Sequence, residues 1–224
     1  MNKPRTIITG IGNHGENIVN RLIKQDLLYV DLINHNQLID DLSKNIFLLF
    51  IIYLPEDNCI GIVDDITRLF KHKTVIEIII TDNIKRQNPH YIINNSPAAL
   101  KEISTLIKAF TDLGRFPSQA SIDMADIIDS LKNAGKLQMK ELIFEADGDF
   151  DNFSKLHFLQ NSHKIKVVWV QIYLQKNNNL LHIILEKLLD AIRSILDTNT
   201  NILWNVKYDD PIVYKKDKCV IIFC

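Results

Sequence analysis

The stretch RTIITGIGNHGEN, residues 5–17, carries three of the chain's seven glycines directly after a short β-branched run. These are Gly10, Gly12 and Gly15, and a segment with the apolar period of an amphipathic helix follows them. A strand that passes through glycine into a helix leaves unpaired backbone N–H groups at the positive end of the helix dipole, where a phosphate group binds well. The stretch therefore predicts a nucleotide-binding turn.

Around this turn, apolar runs of strand length alternate with segments of helical period. The predicted strands of the first half are residues 6–9, 28–33, 46–54 and 74–81, and the predicted helices are residues 17–25 and 62–71. The side chains expected on the inner faces of these helices are Ile18, Leu22 and Ile23, and Ile62, Ile66, Leu69 and Phe70. Strands that alternate with helices indicate a parallel sheet with right-handed crossovers.

The second half of the chain changes character after a long central helix. Residues 98–110 place Leu100, Ile103, Leu106, Ile107 and Phe110 on one face, as a helix against a core does. The later pattern predicts helices at residues 122–131 and 181–196 and strands at residues 166–174, 202–206 and 219–223. We expect a Rossmann-like parallel-sheet domain over residues 1–97, a central helix and linker over 98–118, and a smaller α+β domain over 119–224.

Composition excludes several classes of function. Lys plus Arg is 26 and Asp plus Glu is 27, so the net charge of −1 offers no footprint for nucleic acid. The longest apolar run, residues 46–54, is far shorter than the roughly 20 residues of a membrane-spanning helix, so no span is predicted and a cytoplasmic location is expected. Three cysteines without C-x-x-C spacing, and seven histidines without ligand spacing, predict neither a disulfide framework nor a metal site.

The spacing of Gly10, Gly12 and Gly15 also satisfies the dinucleotide fingerprint of Rossmann enzymes. Such an enzyme needs an acidic residue near the end of its second strand to hold the ribose of NAD or NADP. Asp31 sits early in the predicted second strand, so residues 34–36 would have to supply the side chain that recognises the cofactor's ribose. A Rossmann-type dinucleotide-binding enzyme therefore stays open as one hypothesis.

Residues 10–21, GIGNHGENIVNR, resemble the first phosphate loop and helix of FtsZ, the bacterial homologue of tubulin. Residues 121–128, SIDMADII, resemble the synergy loop of the same family, which usually reads Asn-x-Asp-x-x-Asp, and residues 185–204 are similar to its last helix and closing strands. The resemblance implies an FtsZ/tubulin-like fold that binds GTP or GDP. The residues it implies for the nucleotide are Gly10, Gly12, Asn13, His14, Gly15, Asn17, Gly61 and Asn94.

One departure from the family weakens the expected grip on a triphosphate. The family's second phosphate loop is rich in glycine, whereas residues 54–62 read LPEDNCIGI and keep only Gly61. Pro55 removes a backbone donor, and Glu56 and Asp57 place negative charge beside the ligand. We therefore expect weak or absent GTPase activity.

Asn94 falls near the position where the family reads the guanine base, and asparagine is also common at helix starts.

Asp123 and Asp126 are the catalytic candidates that the resemblance implies. In the family, this loop reaches the nucleotide of the next subunit in a filament, where its carboxylates orient and activate water. The alternative is helix capping, since Ser121 or Asp123 suits an N-cap and Asp126 the positive end of the dipole.

Three hypotheses follow. The first is a divergent FtsZ/tubulin-like protein that binds guanine nucleotide and assembles with itself or with a related FtsZ-like protein. The second is a nucleotide-free pseudo-GTPase that acts as an adaptor or structural protein. The third is the Rossmann-type enzyme described above. The first agrees best with the glycine turn and the synergy-loop pattern together.

Overall fold

The computed structural model describes residues 5–25, 27, 30–40, 46–55, 58–81, 90–94, 96–112, 124–131, 135–143, 156–160, 165–175, 181–209 and 218–224. The chain divides into two compact units. Unit 1 comprises Met1–Asp112 and Leu131–Leu137, and unit 2 comprises Leu113–Ser130 and Gln138–Cys224. The domain boundaries predicted at residues 97 and 118 stay predictions.

Unit 1 contains a parallel sheet, as the alternating pattern predicts. Its strands are β1 (Arg5–Ile11), β2 (Val30–Leu32), β3 (Ile46–Tyr53), β4 (Thr74–Ile79), β5 (His90–Ile92) and the first two residues of β6 (Lys136–Ile143). They lie in the order β2-β1-β3-β4-β5-β6, and every neighbouring pair is parallel. The helices are α1 (Gly12–Leu22), a 3-10 turn (Ile23–Gln25), α2 (His35–Asp40), α3 (Ile60–Leu69) and α4 (Ala99–Asp112).

Helices cover both faces of this sheet. One face packs Ile7, Leu49 and Ile51 of the strands against α2 and α3 in a single buried cluster. On the other face the Phe50 ring meets Phe110 of α4 edge-on at 5.8 Å, and α1 lies beside α4. Burial on both faces explains why the central strands read as continuous apolar runs.

The inner faces of α1 and α3 differ from the predicted ones. Helix α1 begins at Gly12, earlier than predicted, and buries Gly15, Val19 and Leu22, whereas Ile23 is 61% exposed. Helix α3 buries Val63 and Ile66, whereas Ile62 and Leu69 are 41% and 49% exposed. In α3, Cys59, Val63, Ile66 and Phe70 form a second apolar stripe, and packing selects it over the predicted one. The predicted face of α4 is confirmed at Ile103, Leu106, Ile107 and Phe110.

Unit 2 contains a mixed sheet with helices packed on one face. Its elements are α5 (Met124–Leu131), the rest of β6, α6 (His157–Gln160), β7 (Val167–Gln175), α7 (Leu181–Ile195), β8 (Asn201–Asp209) and β9 (Lys218–Phe223). Strand β9 lies between β6 and β7 and is antiparallel to both, while β7 and β8 are parallel. The α6 and α7 side chains Leu159, Leu188 and Ile192 pack on Val168 and Val170 of β7.

Candidate functional site

The strand order of unit 1 reverses direction between β1 and β3. From β1 the chain moves to β2 on one side, and from β3 it moves to β4 and β5 on the other. Helix α1 follows the carboxyl end of β1 directly, and α3 follows the carboxyl end of β3 after a short connection. Ligands of open parallel sheets bind in the crevice at such a reversal, outside the carboxyl ends of the strands.

Helix α1 begins with its backbone N–H groups turned toward this edge. Ile11 precedes it in an extended conformation and makes no side-chain hydrogen bond that caps the helix. Gly12 has a φ of +72°, a left-handed conformation that suits glycine. A left-handed residue followed by helical residues turns successive N–H groups toward one point and forms a concavity for an anion. We call Gly12, Asn13 and His14 the α1 cradle.

A left-handed residue also lies near the start of α3, but it is an asparagine and not a glycine. Asn58 has a φ of +53° and Cys59 follows with φ −86° and ψ −1°. Asparagine tolerates the left-handed region best among residues with a side chain. The Cys59 thiol donates to the Leu54 carbonyl at 3.0 Å and closes the connection. Glu56 and Asp57, expected to repel a phosphate, lie outside the described residues.

Gly61, in the first turn of α3, faces open space. A Cβ at Gly61 would meet no atom within 4 Å. This glycine is therefore not required by packing. Its side of α3 leaves room for a ligand at the helix start.

Gly10 and Gly15 have a structural role that the sequence pattern does not reveal. Both are buried, and a Cβ on Gly10 would lie 2.3 Å from the Gly15 carbonyl oxygen. A Cβ on Gly15 would lie 2.3 Å from the Ile52 carbonyl oxygen of β3. Close packing of α1 on the sheet alone requires both glycines, so their predicted contact with a nucleotide stays a prediction.

The other nucleotide candidates lie on exposed positions of unit 1. Asn13, His14 and Asn17 are exposed on α1. Asn94 is exposed just after β5, at the same edge of the sheet. Asp31, by contrast, binds the Arg5 guanidinium at 2.6 Å, at the start of β1. That contact directs the carboxylate toward the opposite edge, so Asp31 does not supply the ribose-binding acid of a Rossmann enzyme.

Sequence reasoning missed Glu102, which lies in the first turn of α4. The Tyr91 hydroxyl of β5 donates to its carboxylate, and Tyr91 is 3% exposed. Burial, followed by this hydrogen bond, raises the pKa of Tyr91 well above its usual range, so the phenol stays a donor at neutral pH. The interaction fixes a half-buried carboxylate at the start of α4, which packs beside α1. No spacing rule links residues 91 and 102, so only the tertiary structure reveals the pair.

A second buried polar group lies under α3. The Tyr53 hydroxyl donates to the Glu77 carboxyl group at 2.9 Å, and both side chains are fully buried. His90, 4% exposed, is the register partner of Glu77 on the neighbouring strand. The apolar run at residues 74–81 shows Glu77 as an interruption, which is the signal that could have identified it.

The catalytic candidates belong to unit 2. Asp126 is exposed in the first turn of α5, where its charge also suits the helix dipole. Asp123 lies outside the described residues. Neither the catalytic assignment nor the capping alternative is decided by this placement.

The described part of the chain was also searched for reactive thiols, metal ligands and membrane-spanning helices. Burial raises the pKa of Cys224 to about 11 and that of Cys219 still further, so both thiols stay neutral and unreactive at pH 7. No group of three or more His, Cys, Asp or Glu among the described residues could hold a metal ion. The helices described here include none with the length and apolar character needed to cross a bilayer.

Comparison with known proteins gives structural matches only. No protein-family profile and no curated protein matches the sequence. An empty FtsZ dimer from M. jannaschii matches with a TM-score of 0.70 at 11% identity, covering 99% of this chain and 88% of that one. TubZ of Clostridium botulinum phage c-st matches with a TM-score of 0.63 at 13% identity, covering 98% and 92%. CetZ2 from Haloferax volcanii, a GTPγS-bound protofilament, matches with a TM-score of 0.60 at 9% identity, covering 97% and 92%.

These matches span both units and nearly the whole chain. The protein therefore has the tubulin/FtsZ-like fold, as the resemblance of residues 10–21 and 121–128 implies. At such low identity the likeness concerns the fold, and ligand, activity and assembly have to be argued from the chain's own residues.

Proposed function

We propose that this protein is a divergent tubulin-like protein that binds a guanine nucleotide in unit 1 and assembles with copies of itself. The observation that carries the proposal is the pair of helix starts at the strand-order reversal. Gly12 at the start of α1 and Asn58, two residues before α3, both have left-handed backbone, and neither N-cap residue, Ile11 or Cys59, makes a capping side-chain hydrogen bond. Two such helix starts, after the carboxyl ends of the neighbouring strands β1 and β3, favour the consecutive phosphates of a nucleotide.

Glu102 supports guanine over adenine as the base. A carboxylate accepts two hydrogen bonds side by side, and guanine offers two adjacent donors, N1–H and N2–H, whereas adenine offers only its N6 amino group. The Tyr91 hydroxyl holds the Glu102 carboxylate at the start of α4, on the same face of the sheet as α1. Among the described residues, it is the acceptor that fits this role best.

Thermal unfolding in the presence of GTP, GDP, ATP, NAD and S-adenosylmethionine tests the proposal directly. A ligand at 100 times its dissociation constant stabilises the folded state by about 2.7 kcal/mol. We expect a shift with GTP or GDP alone. A shift only with NAD would favour a dinucleotide enzyme, and no shift with any of the five would favour the nucleotide-free adaptor.

Gly12→Ala should weaken guanine-nucleotide binding at least tenfold. The methyl group would stand where a phosphate approaches, and a φ of +72° costs alanine about 1 kcal/mol. Isothermal titration calorimetry measures the affinity, and urea unfolding measures the stability separately. The control is Gly135→Ala, where φ is +73° as well and a Cβ meets no atom within 4 Å. Unchanged affinity in Gly12→Ala would remove the α1 cradle from the proposal.

Assembly is proposed to proceed head to tail, with α5 of one copy facing the nucleotide of the next. Such a heterologous contact does not close on itself and builds open filaments, the state reported for the structurally similar CetZ2. In this arrangement Asp126 would orient the attacking water, since its carboxylate is exposed at the start of α5.

Asp126→Ala should leave nucleotide affinity unchanged and lower GTP hydrolysis by at least 100-fold, the scale of a lost general base. Phosphate release under conditions that allow sedimentation of assemblies measures the effect. Asp129→Ala, on the same helix and also exposed, is the matched control. Equal activity of Asp126→Ala and the wild type would leave Asp126 as a helix-capping residue.

A further inference from the structure

Glu16 lies on α1 two residues after the last member of the α1 cradle. Glu16 is four residues after Gly12, which places it about 6 Å further along the helix axis. Its side chain is 42% exposed, so the charge is not hidden from a neighbouring ligand. A negative charge at this distance opposes the binding of a polyphosphate.

His35 faces this carboxylate from the start of α2. The distance from His35 Nδ1 to the Glu16 carboxylate is 3.6 Å, and the imidazole is 17% exposed. The separation exceeds a hydrogen bond, and within the described parts of the chain Nδ1 is buried without a hydrogen-bond partner. The Asn36 N–H donates to the Asn34 side chain at 3.0 Å and fixes the turn that presents His35.

We propose that Glu16 and His35 together set how much negative charge the α1 cradle accepts, and this inference rests on the proposed function. The imidazole holds the Glu16 side chain against the start of α2. Glu16 acts as the repulsive element, and His35 acts through it as a positioning residue. Glu16 and His35 then determine the ratio of the affinities for GTP and GDP, although neither side chain belongs to the glycine turn.

The proposal predicts opposite effects for the two single substitutions. Glu16→Gln should raise the affinity for GTP about fivefold, since the charge that it removes acts across about 8 Å at an effective dielectric of about 40. The gain for GDP and for inorganic pyrophosphate should be smaller, because these probes carry less charge. His35→Gln should lower the affinity for GTP by a similar factor, because it leaves Glu16 without its neighbour.

The double variant Glu16→Gln/His35→Gln separates this mechanism from direct contact. If His35 acts through Glu16, the double variant should bind GTP within twofold of Glu16→Gln alone. A double variant that loses affinity as His35→Gln does would show that the imidazole binds the anion itself and would overturn the proposal. Asp190→Asn, an exposed residue of α7 in unit 2, controls for the change in net charge and should leave affinity unchanged.

Calorimetry of the full chain with GTP, GDP and pyrophosphate measures all variants, and thermal unfolding verifies that each one folds. If the wild type binds GTP and both single variants bind it equally well, this inference fails and the proposed function stands. If the wild type binds none of the three probes, the proposed function fails first and the inference falls with it.

Discussion

Gly15→Ala should destabilise unit 1 by about 3 kcal/mol or more and lower the midpoint of its thermal unfolding by many degrees. The new methyl group would lie 2.3 Å from the Ile52 carbonyl oxygen and 3.2 Å from its carbon. Both atoms belong to the backbone of a central strand that is hydrogen-bonded to β1 and β4, so they cannot move without disturbing the sheet. Overpacking of a core costs about 1–3 kcal/mol where side chains can adjust, and here no side chain can.

Urea unfolding followed by circular dichroism measures this loss, and Gly61→Ala provides the matched control. The same substitution in α3 meets no atom within 4 Å and should be neutral or stabilise the helix by about 0.5–1 kcal/mol. Gly15→Ala and Gly61→Ala with equal stability would contradict the close packing of α1 on β3. The comparison also separates folding from binding. If Gly15→Ala loses nucleotide affinity, we expect unfolding to be the cause and not a lost contact between Gly15 and the nucleotide.

Tyr53→Phe should destabilise unit 1 by about 2 kcal/mol. The substitution keeps the ring and removes the hydroxyl that donates to Glu77 at 2.9 Å, which leaves a fully buried carboxyl group with one donor fewer. Leaving a buried polar group without its partner costs about 1–3 kcal/mol, and much of the loss is the cost of the buried group that stays behind. Urea unfolding of the purified chain measures the difference.

A double-mutant cycle with Glu77→Gln tests the physical reason. Glutamine has nearly the same shape and carries an amide with donors of its own, so it depends less on the Tyr53 hydroxyl than a carboxyl group does. We expect Tyr53→Phe/Glu77→Gln to be more stable than the sum of the two single losses predicts. Strict additivity, or a Tyr53→Phe variant within about 0.5 kcal/mol of the wild type, would show that the pair does not stabilise the core.

The central strands were predictable because a parallel sheet buried on both faces requires continuous apolar runs. Residues 46–54 and 74–81 have that pattern, and β3 and β4 occupy them. Strand β5 has only three residues, and β6 alternates polar and apolar residues only as far as Lys140, which Glu141 follows directly. These segments give weaker strand signals than β3 and β4, and pairing with their neighbours, more than local preference, holds them in place.

The buried faces of the helices were also only partly predictable from the sequence. Helix α3 carries two overlapping apolar stripes, and the sequence favours the one with Ile62 and Leu69. Packing against β3 selects the stripe with Val63 and Ile66, since a helix can turn only one face to the sheet. Helix α4 has a single stripe, and its prediction was confirmed.

Some features of the candidate site were predictable from the sequence, and others depend on the tertiary structure. The glycine turn and the residues of the α1 cradle were predictable, because glycine between a strand and a helix serves a tight turn, the approach of a phosphate or close helix–sheet packing. That Gly10 and Gly15 are required by packing, while Gly12 has the left-handed φ, depends on how close α1 comes to β3. The pairings of Glu102 with Tyr91 and of Glu16 with His35 join residues distant in sequence, and no local pattern encodes them.

By itself, the sequence determined a parallel α/β unit with a glycine turn after its first strand, since hydrophobic period and backbone freedom are local properties of a chain. The tertiary structure alone decided which face each helix buries, which glycines are packed and which stay open, and which side chains contact the carboxylates of Glu16 and Glu102. Those features arise from contacts between segments, where shape, excluded volume and charge act over a few ångströms in space and not along the chain.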